Sequence, residues 1–177
     1  MITLVPFTSA DIPKLISWIP DPTMLLQWAG PTLNWPLTAD QLERNLKASG
    51  PGTSSLIYRV NTATGEHAGH IEIKMIDHVH SNAVLGKVLI APDFRGQGLA
   101  LPLTHAALKI CFEDLKLHRV GLRVFAHNTG AISTYKRAGF KEEGLDREVR
   151  RTPDGVWWDA CTMGILEREW RALQPAT

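Results

Sequence analysis

Apolar positions recur along this chain at two spacings, and each change of spacing marks a new element. Residues 2–5 read as a short strand that stops at Pro6. Thr8-Ser9-Ala10-Asp11 then opens a helical pattern with Ile12, Leu15, Ile16 and Ile19 on one face, ended by Pro20 and Pro22. Residues 22–37 break both spacings with prolines, Gly30, Trp28 and Trp35, and predict an irregular or short-helical segment anchored by aromatics. Thr38-Ala39-Asp40-Gln41 has the form of a capping box, and Leu42 and Leu46 mark the inner face of the helix behind it.

The spacing then falls to two. Residues 56–60 and 69–76 flank Thr62-Ala63-Thr64-Gly65-Glu66, with Ile71, Ile73 and Met75 alternating against His70, Glu72 and Lys74, which predicts a hairpin. Residues 83–91 are almost continuously apolar, as in a central strand. Residues 98–115 return to helical spacing through Leu99, Leu103, Ala106, Ala107 and Ile110, with Pro102 in the first turn. Strand 120–126, a short helix 131–138 between Asn128 as N-cap and Gly139 as C′ residue, and a hairpin of 142–151 with 156–166 around Pro153-Asp154-Gly155 complete the pattern. The order is β-α-α-β-β-β-α-β-α-β-β, an α/β (α+β) fold in one domain over residues 1–177.

Composition narrows the function classes. Nineteen basic against 18 acidic side chains leave a formal charge of +1, so the sequence carries no electrostatic footprint for nucleic acid or an anionic membrane. No apolar run approaches the ~20 residues that span a bilayer, and no basic, apolar leader opens the chain. Cys111 and Cys161 stand far apart without CxxC spacing. The expectation is two reduced, buried thiols in a cytoplasmic protein. Four of the seven histidines, His67, His70, His78 and His80, cluster in sequence, but their spacing is no zinc pattern, and no metal is expected.

The chemistry concentrates in two stretches. In Val88-Leu89-Ile90-Ala91-Pro92-Asp93-Phe94-Arg95-Gly96-Gln97-Gly98-Leu99-Ala100, a buried strand breaks at a proline, enters a glycine-containing turn and starts a helix. Glycines let backbone approach a ligand closely, and free N–H groups at a helix N-terminus bind phosphate oxygens. Leu101 stands where a dinucleotide fingerprint needs its third glycine, and no GK[ST] follows, so a phosphate or pyrophosphate is expected without a Rossmann or P-loop motif. The second stretch, Asn128-Thr129-Gly130-Ala131-Ile132-Ser133-Thr134-Tyr135-Lys136-Arg137-Ala138-Gly139-Phe140, opens the helix after the next strand.

Together, in this order, the two stretches resemble the GNAT acetyltransferases. Arg95, Gly98 and Ala100 match that family's first motif, and Asn128, Ala131, Tyr135, Gly139 and Phe140 its second. The resemblance implies a GNAT-type domain with a central mixed, mostly antiparallel sheet, and acetyl-CoA as co-substrate. It implies that Arg95, Gly96, Gln97, Gly98, Leu99 and Ala100 hold the pyrophosphate, and that Val88, Leu89 and Ile90 pair with the pantetheine arm. A backbone N–H there, that of Ile90, would bond the thioester carbonyl as its oxygen gains charge. Asn128 caps its helix, alone or while also bonding the pantetheine, and the small Ala131 leaves space for the cofactor. Tyr135 is then the general acid: a phenol of pKa ~10 can protonate a thiolate of pKa ~8.5.

The base is open in the sequence. Residues 83–90 hold no carboxylate, and the candidates are Glu72, Asp77, His78, His80 or ordered water. Glu72, on the preceding strand, is the named catalytic candidate. Trp18, Trp28 and Trp35 are expected where the acceptor enters, with Trp158 or Asp159 as weaker candidates and Lys136 and Arg137 as groups for the ribose phosphate. Neither motif contains a cysteine, which favours direct transfer to the amine over a covalent intermediate. Trp35-Pro36 resembles the branch of ribosomal-protein N-terminal acetyltransferases, and His78-Val79-His80 that of spermidine acetyltransferases. A peptide amino terminus, a polyamine or another small amine all fit as acceptor. The alternative is an acyl-CoA-binding regulatory module with little turnover. A homodimer is compatible with the sequence, which does not fix the oligomeric state.

Overall fold

The computed structural model describes residues 2–174. One seven-stranded sheet carries the molecule, in the order β1-β2-β3-β4-β5-β7-β6. Its strands are β1 (Ile2–Pro6), β2 (Ser55–Thr62), β3 (His67–Asp77), β4 (Asn82–Ile90), β5 (Arg119–Phe125), β6 (Lys141–Arg151) and β7 (Trp157–Leu166). Every pairing is antiparallel except β4 with β5. Helices α4 (Ala100–Lys109) and α5 (Thr129–Arg137) cover one face, where Leu103, Ala107, Leu108 and Tyr135 join Ile71, Ile73, Leu85, Leu122 and Met163 in one core. Helices α1 (Ile12–Ser17), α2 (Pro22–Ala29) and α3 (Ala39–Lys47) build a second core on the other face around Leu15, Trp18, Leu25, Trp28 and Leu42.

The strands fall where the period-two runs place them; the differences lie in the helices and in one face of β3. Residues 22–29 form an ordered helix because Asp21 caps it, its carboxylate accepting from the Met24 amide at 2.8 Å, with Pro22 at the first position. A last helix, α6 (Glu167–Ala172), is absent from the sequence reading. Glu169 reaches back to the Leu166 amide at 3.0 Å, and Trp170 buries against Phe112 at 5.4 Å between ring centroids. Helix α4 ends in a wider turn, Ile110–Asp114, within the span read as one helix. The capping box at Thr38 does not form. Gln41 instead accepts from the Asn34 amide and donates to the carbonyls of Asn34 and Pro36, fastening the preceding loop to α3.

The alternation along β3 predicts a hairpin but does not say what covers its polar side. That side is buried: His70 and Glu72 are 1% and 3% exposed, because α1–α3 pack over it. The alternation also breaks one residue early. Met75 takes a positive φ of 54° and points out at 67% exposure, and Ile76 takes the inward place.

Candidate active site

The site begins with an irregularity in β4. Ala83 and Leu85 face the α4–α5 core, and so do Val88 and Ile90, while Leu89 and Ala91 face the other core. The alternation therefore slips by one residue at Gly86–Lys87, a bulge also visible in the β3–β4 register, where His70 pairs Leu89 but Glu72 pairs Gly86. Lys87 sits at its centre with φ at 45°, a left-handed conformation that a lysine adopts only when its surroundings impose it.

Those surroundings are visible. The Lys87 carbonyl accepts from Trp28 Nε1 at 2.8 Å, and its ammonium donates to Glu72 Oε1 at 2.9 Å. Asn45 Nδ2 donates to the same oxygen at 2.9 Å. His70 Nε2 lies 3.6 Å from that oxygen, longer than a hydrogen bond. Burial pushes the Glu72 carboxyl up, but His70 and Lys87 outweigh it and hold it below the ordinary carboxylate value. Burial pushes the His70 imidazole down, so it is neutral.

Beyond the bulge the sheet opens. β4 and β5 pair only over residues 82–85 and 119–122, and past that point both strands line a cleft of about 660 Å³. Val88, Leu89 and Ile90 form one wall; Leu122, Arg123, Val124 and Phe125 form the other. The α4–α5 side of the cleft carries Arg95, Ala100, Asn128, Ala131 and Tyr135. Its opposite side carries Gln27, Trp28, Gly30, Pro31 and Thr32 from the end of α2 and the turn after it.

The turn between β4 and α4 has the shape its glycines imply. Gly96 and Gly98 both take φ of 74°, and a β-carbon at either would meet nothing within 4 Å, so both amide planes border open space. Gln97 Nε2 donates to the Asp93 carbonyl at 3.0 Å and Arg95 Nε to that of Ile90 at 3.2 Å, bracing the turn without entering it. No side chain caps α4, whose N-cap is Leu99. Asn128 caps α5, its Oδ1 accepting from the Ala131 amide at 3.2 Å. Tyr135, one turn further, is 8% exposed, and burial pushes its phenol up to about 12.

The structure thus gathers Val88, Leu89, Ile90, Arg95, Ala100, Asn128, Ala131 and Tyr135 on one cleft, with Gly96, Gln97, Gly98 and Leu99 as the turn between Arg95 and Ala100. Glu72 lies outside it, enclosed behind the bulge. Asp77, His78 and His80 are also elsewhere: they form the β3–β4 turn, at the paired end of β4, where His80 Nδ1 meets Asp77 Oδ2 at 2.8 Å. Of Trp18, Trp28 and Trp35 only Trp28 lines the cleft; Trp18 is core and Trp35 is 46% exposed. Trp158 stands behind the wall, packed on Phe125 at 4.8 Å and His127 at 4.4 Å. Asp159 is occupied by the Glu148 amide, and Lys136 by Glu142 at 2.9 Å. Arg137 borders a separate hollow beside Trp170.

Sequence reasoning missed Lys74, Lys87, Arg123, Phe125 and Arg150, which line the cleft. For Lys87 a signal existed, a lysine in an otherwise apolar run opposite the glutamate of the preceding strand. Among the described residues no three His, Cys, Asp or Glu side chains are grouped for a metal ion, and no helix is long and apolar enough to cross a membrane.

The chain is similar to known N-acetyltransferases. Spermidine N(1)-acetyltransferase of Escherichia coli K12 is 38% identical over 109 residues, 61% of this chain and 57% of that protein, so the match spans little more than half the relative's length. L-amino acid N-acetyltransferase AaaT of E. coli K12 is 26% identical over 137 residues, 77% of this chain and 82% of that protein. The structure of spermidine N-acetyltransferase from Vibrio cholerae in complex with CoA and spermine superposes with a TM-score of 0.85 at 25% identity, covering 96% of this chain and 98% of that one. The acetyltransferase (GNAT) domain matches residues 1–141, and the chain belongs to that family.

Proposed function

We propose that this protein transfers an acetyl group from acetyl-CoA directly to a primary amine. The observation that carries the reading is the opening between β4 and β5, which ends at an uncapped helix N-terminus and a two-glycine turn and has Asn128 and Tyr135 on its wall. The unpaired edge of residues 86–90 offers backbone N–H and C=O groups to an extended amide-bearing arm. The amides of Gly96, Gly98, Leu99 and Ala100 suit a pyrophosphate. A backbone N–H of residues 88–90 stabilises negative charge developing on the thioester oxygen. Tyr135 supplies the proton to the departing thiolate. With Glu72 enclosed and ion-paired, the amine loses its proton to water in the cleft, and Glu72 acts by fixing the bulge.

Relatives named for spermidine and for amino acids leave the class of amine to experiment. The test is release of free thiol from acetyl-CoA on addition of a panel of primary amines. Acetyl-CoA binding with no thiol release for any amine would favour a regulatory acyl-CoA-binding module instead.

The turn has its own test. Gly98→Val places a β-branched residue at φ 74° and fills the space beside the amides. We expect the acetyl-CoA dissociation constant to rise at least about tenfold in calorimetric titration, with the fold retained by circular dichroism. Unchanged affinity would reduce the turn to a connection.

A further inference from the structure

The non-cofactor side of the cleft carries cationic side chains and, among the described residues, no carboxylate. β3 turns Ile71 and Ile73 to the α4–α5 core, so Lys74, in phase with His70 and Glu72, faces the α2 side. β5 likewise turns Leu122 and Val124 to that core, which puts Arg123 on the α2 side. Both line the cleft, as does Arg150 of β6. Among the described residues, no Asp or Glu lines it. The segment from Pro22 to Ala39, which supplies the cover of this side, contains no acidic residue at all.

The three cations differ in how far they are already neutralised. Arg123 is paired with Asp146 of β6. Arg150 donates to the neighbouring Val149 carbonyl at 2.6 Å. Lys74 is half-buried and, among the described residues, has no carboxylate within ion-pair distance. Its side chain crosses β4 at Gly86: a β-carbon there would stand 2.5 Å from Lys74 Cε and 2.8 Å from Nζ. Gly86 is two residues before Val88, about 7 Å along an extended strand. The ammonium therefore stands beside β4 at Gly86, just before the stretch of backbone that the proposed reading gives to the thioester. Burial lowers the pKa of Lys74, and the Lys87 ammonium nearby lowers it further, against the pull of Glu72 from beyond ion-pair distance.

We infer that the acceptor is a free α-amino acid with an apolar side chain, its carboxylate received by Lys74 beside Gly86 and its side chain lodged against Met24, Trp28 and Phe125. This rests on the acetyltransferase reading above. A carboxylate one carbon from the amine supplies the direct ion pair that Lys74 lacks among the described residues and holds the amine at the opening between β4 and β5. A polyamine would bring further positive charges against Lys74, Arg123 and Arg150 with no carboxylate to receive them. The balance of the reaction is ordinary: the amine nitrogen forms the amide bond, the thioester C–S bond breaks, and the thiolate is protonated.

The experiment compares L-methionine and L-phenylalanine with their methyl esters and with spermidine, both as acceptors in thiol release and as ligands titrated into CoA-saturated protein. The esters keep the amine and side chain and remove only the negative charge. We expect the free acids to bind and react at least tenfold better than the esters and spermidine. We expect Lys74→Met to erase that preference while leaving acetyl-CoA affinity unchanged. Equal or better binding of the esters or of spermidine overturns the inference, as does an acid preference that survives in Lys74→Met. Acid-selective binding that Lys74→Met erases, without thiol release, would keep the carboxylate at Lys74 and overturn the enzymatic reading instead.

Discussion

Tyr135→Phe should turn over about 10²–10⁴ times more slowly than the wild type with a true acceptor, while binding acetyl-CoA almost as well. The substitution keeps the ring, its edge-on contact with Phe140 at 5.8 Å and its place on the cleft wall, and it removes only the proton donor. Because the hydroxyl acts after the amine has attacked, its loss belongs in kcat rather than in cofactor affinity. Product release can mask a chemical defect, so single-turnover rates are the measurement of choice. A near-normal single-turnover rate in the variant would return Tyr135 to a packing role.

The burial of this phenol also sets the pH dependence. Held up to about 12, it stays protonated throughout the working range. The rate should then rise with pH as the acceptor ammonium loses its proton, and level off without a descending limb below about pH 10, the pKa of an unperturbed phenol. A fall in rate between pH 8 and 10, absent in Tyr135→Phe, would mean that the phenol ionises far more easily than its surroundings allow.

What the sequence disclosed, and what it hid, follows from where each signal resides. The turn at Gly96–Gly98 and the cap at Asn128 are local: a positive φ and an N-terminal side-chain bond are decided within a few residues, so residue type alone places them. Tyr135 follows from Ala131 by helical spacing. Glu72 and Lys74 show the opposite case. Their alternation with Ile71 and Ile73 resembles that of any strand with one wet face, and only the packing of α1–α3 over that face converts it into a buried ion-pair network and one cleft wall. The bulge at Lys87 is likewise invisible as an apolar run, since one inserted residue changes which side chains face the cleft without changing composition. Helix α6 escaped because its inward residue, Trp170, is matched to Phe112 across the fold rather than to a neighbour in sequence.

The network at the bulge yields the largest stability effect we expect. Lys87 and Glu72 are 6% and 3% exposed, and the carboxylate is satisfied by Lys87 and Asn45 on a single oxygen. Lys87→Met leaves that carboxylate buried with its counter-charge removed, a change that typically costs about 3–5 kcal/mol. Adding Glu72→Leu to the same chain should recover most of the loss, because an apolar pair of similar volume has no charge to desolvate. The pH dependence separates this from mere loss of packing. In the wild type the Glu72 carboxyl sits below its unfolded value, so its stabilisation is present above that value and is lost as pH falls through the folded one. Neutral, buried His70 adds to the same trend, since the unfolded chain takes up its proton near pH ~6.5 and the folded chain resists it. In Lys87→Met, burial of Glu72 goes unopposed by the lysine, its pKa rises, and acidification relieves part of the penalty. Urea midpoints should therefore differ most between wild type and variant at pH 7.5 and converge towards pH 5. A gap below about 1 kcal/mol at pH 7.5, or one that does not narrow with acid, would show that the pair contributes little and that Trp28 and the strand pairings alone hold the bulge.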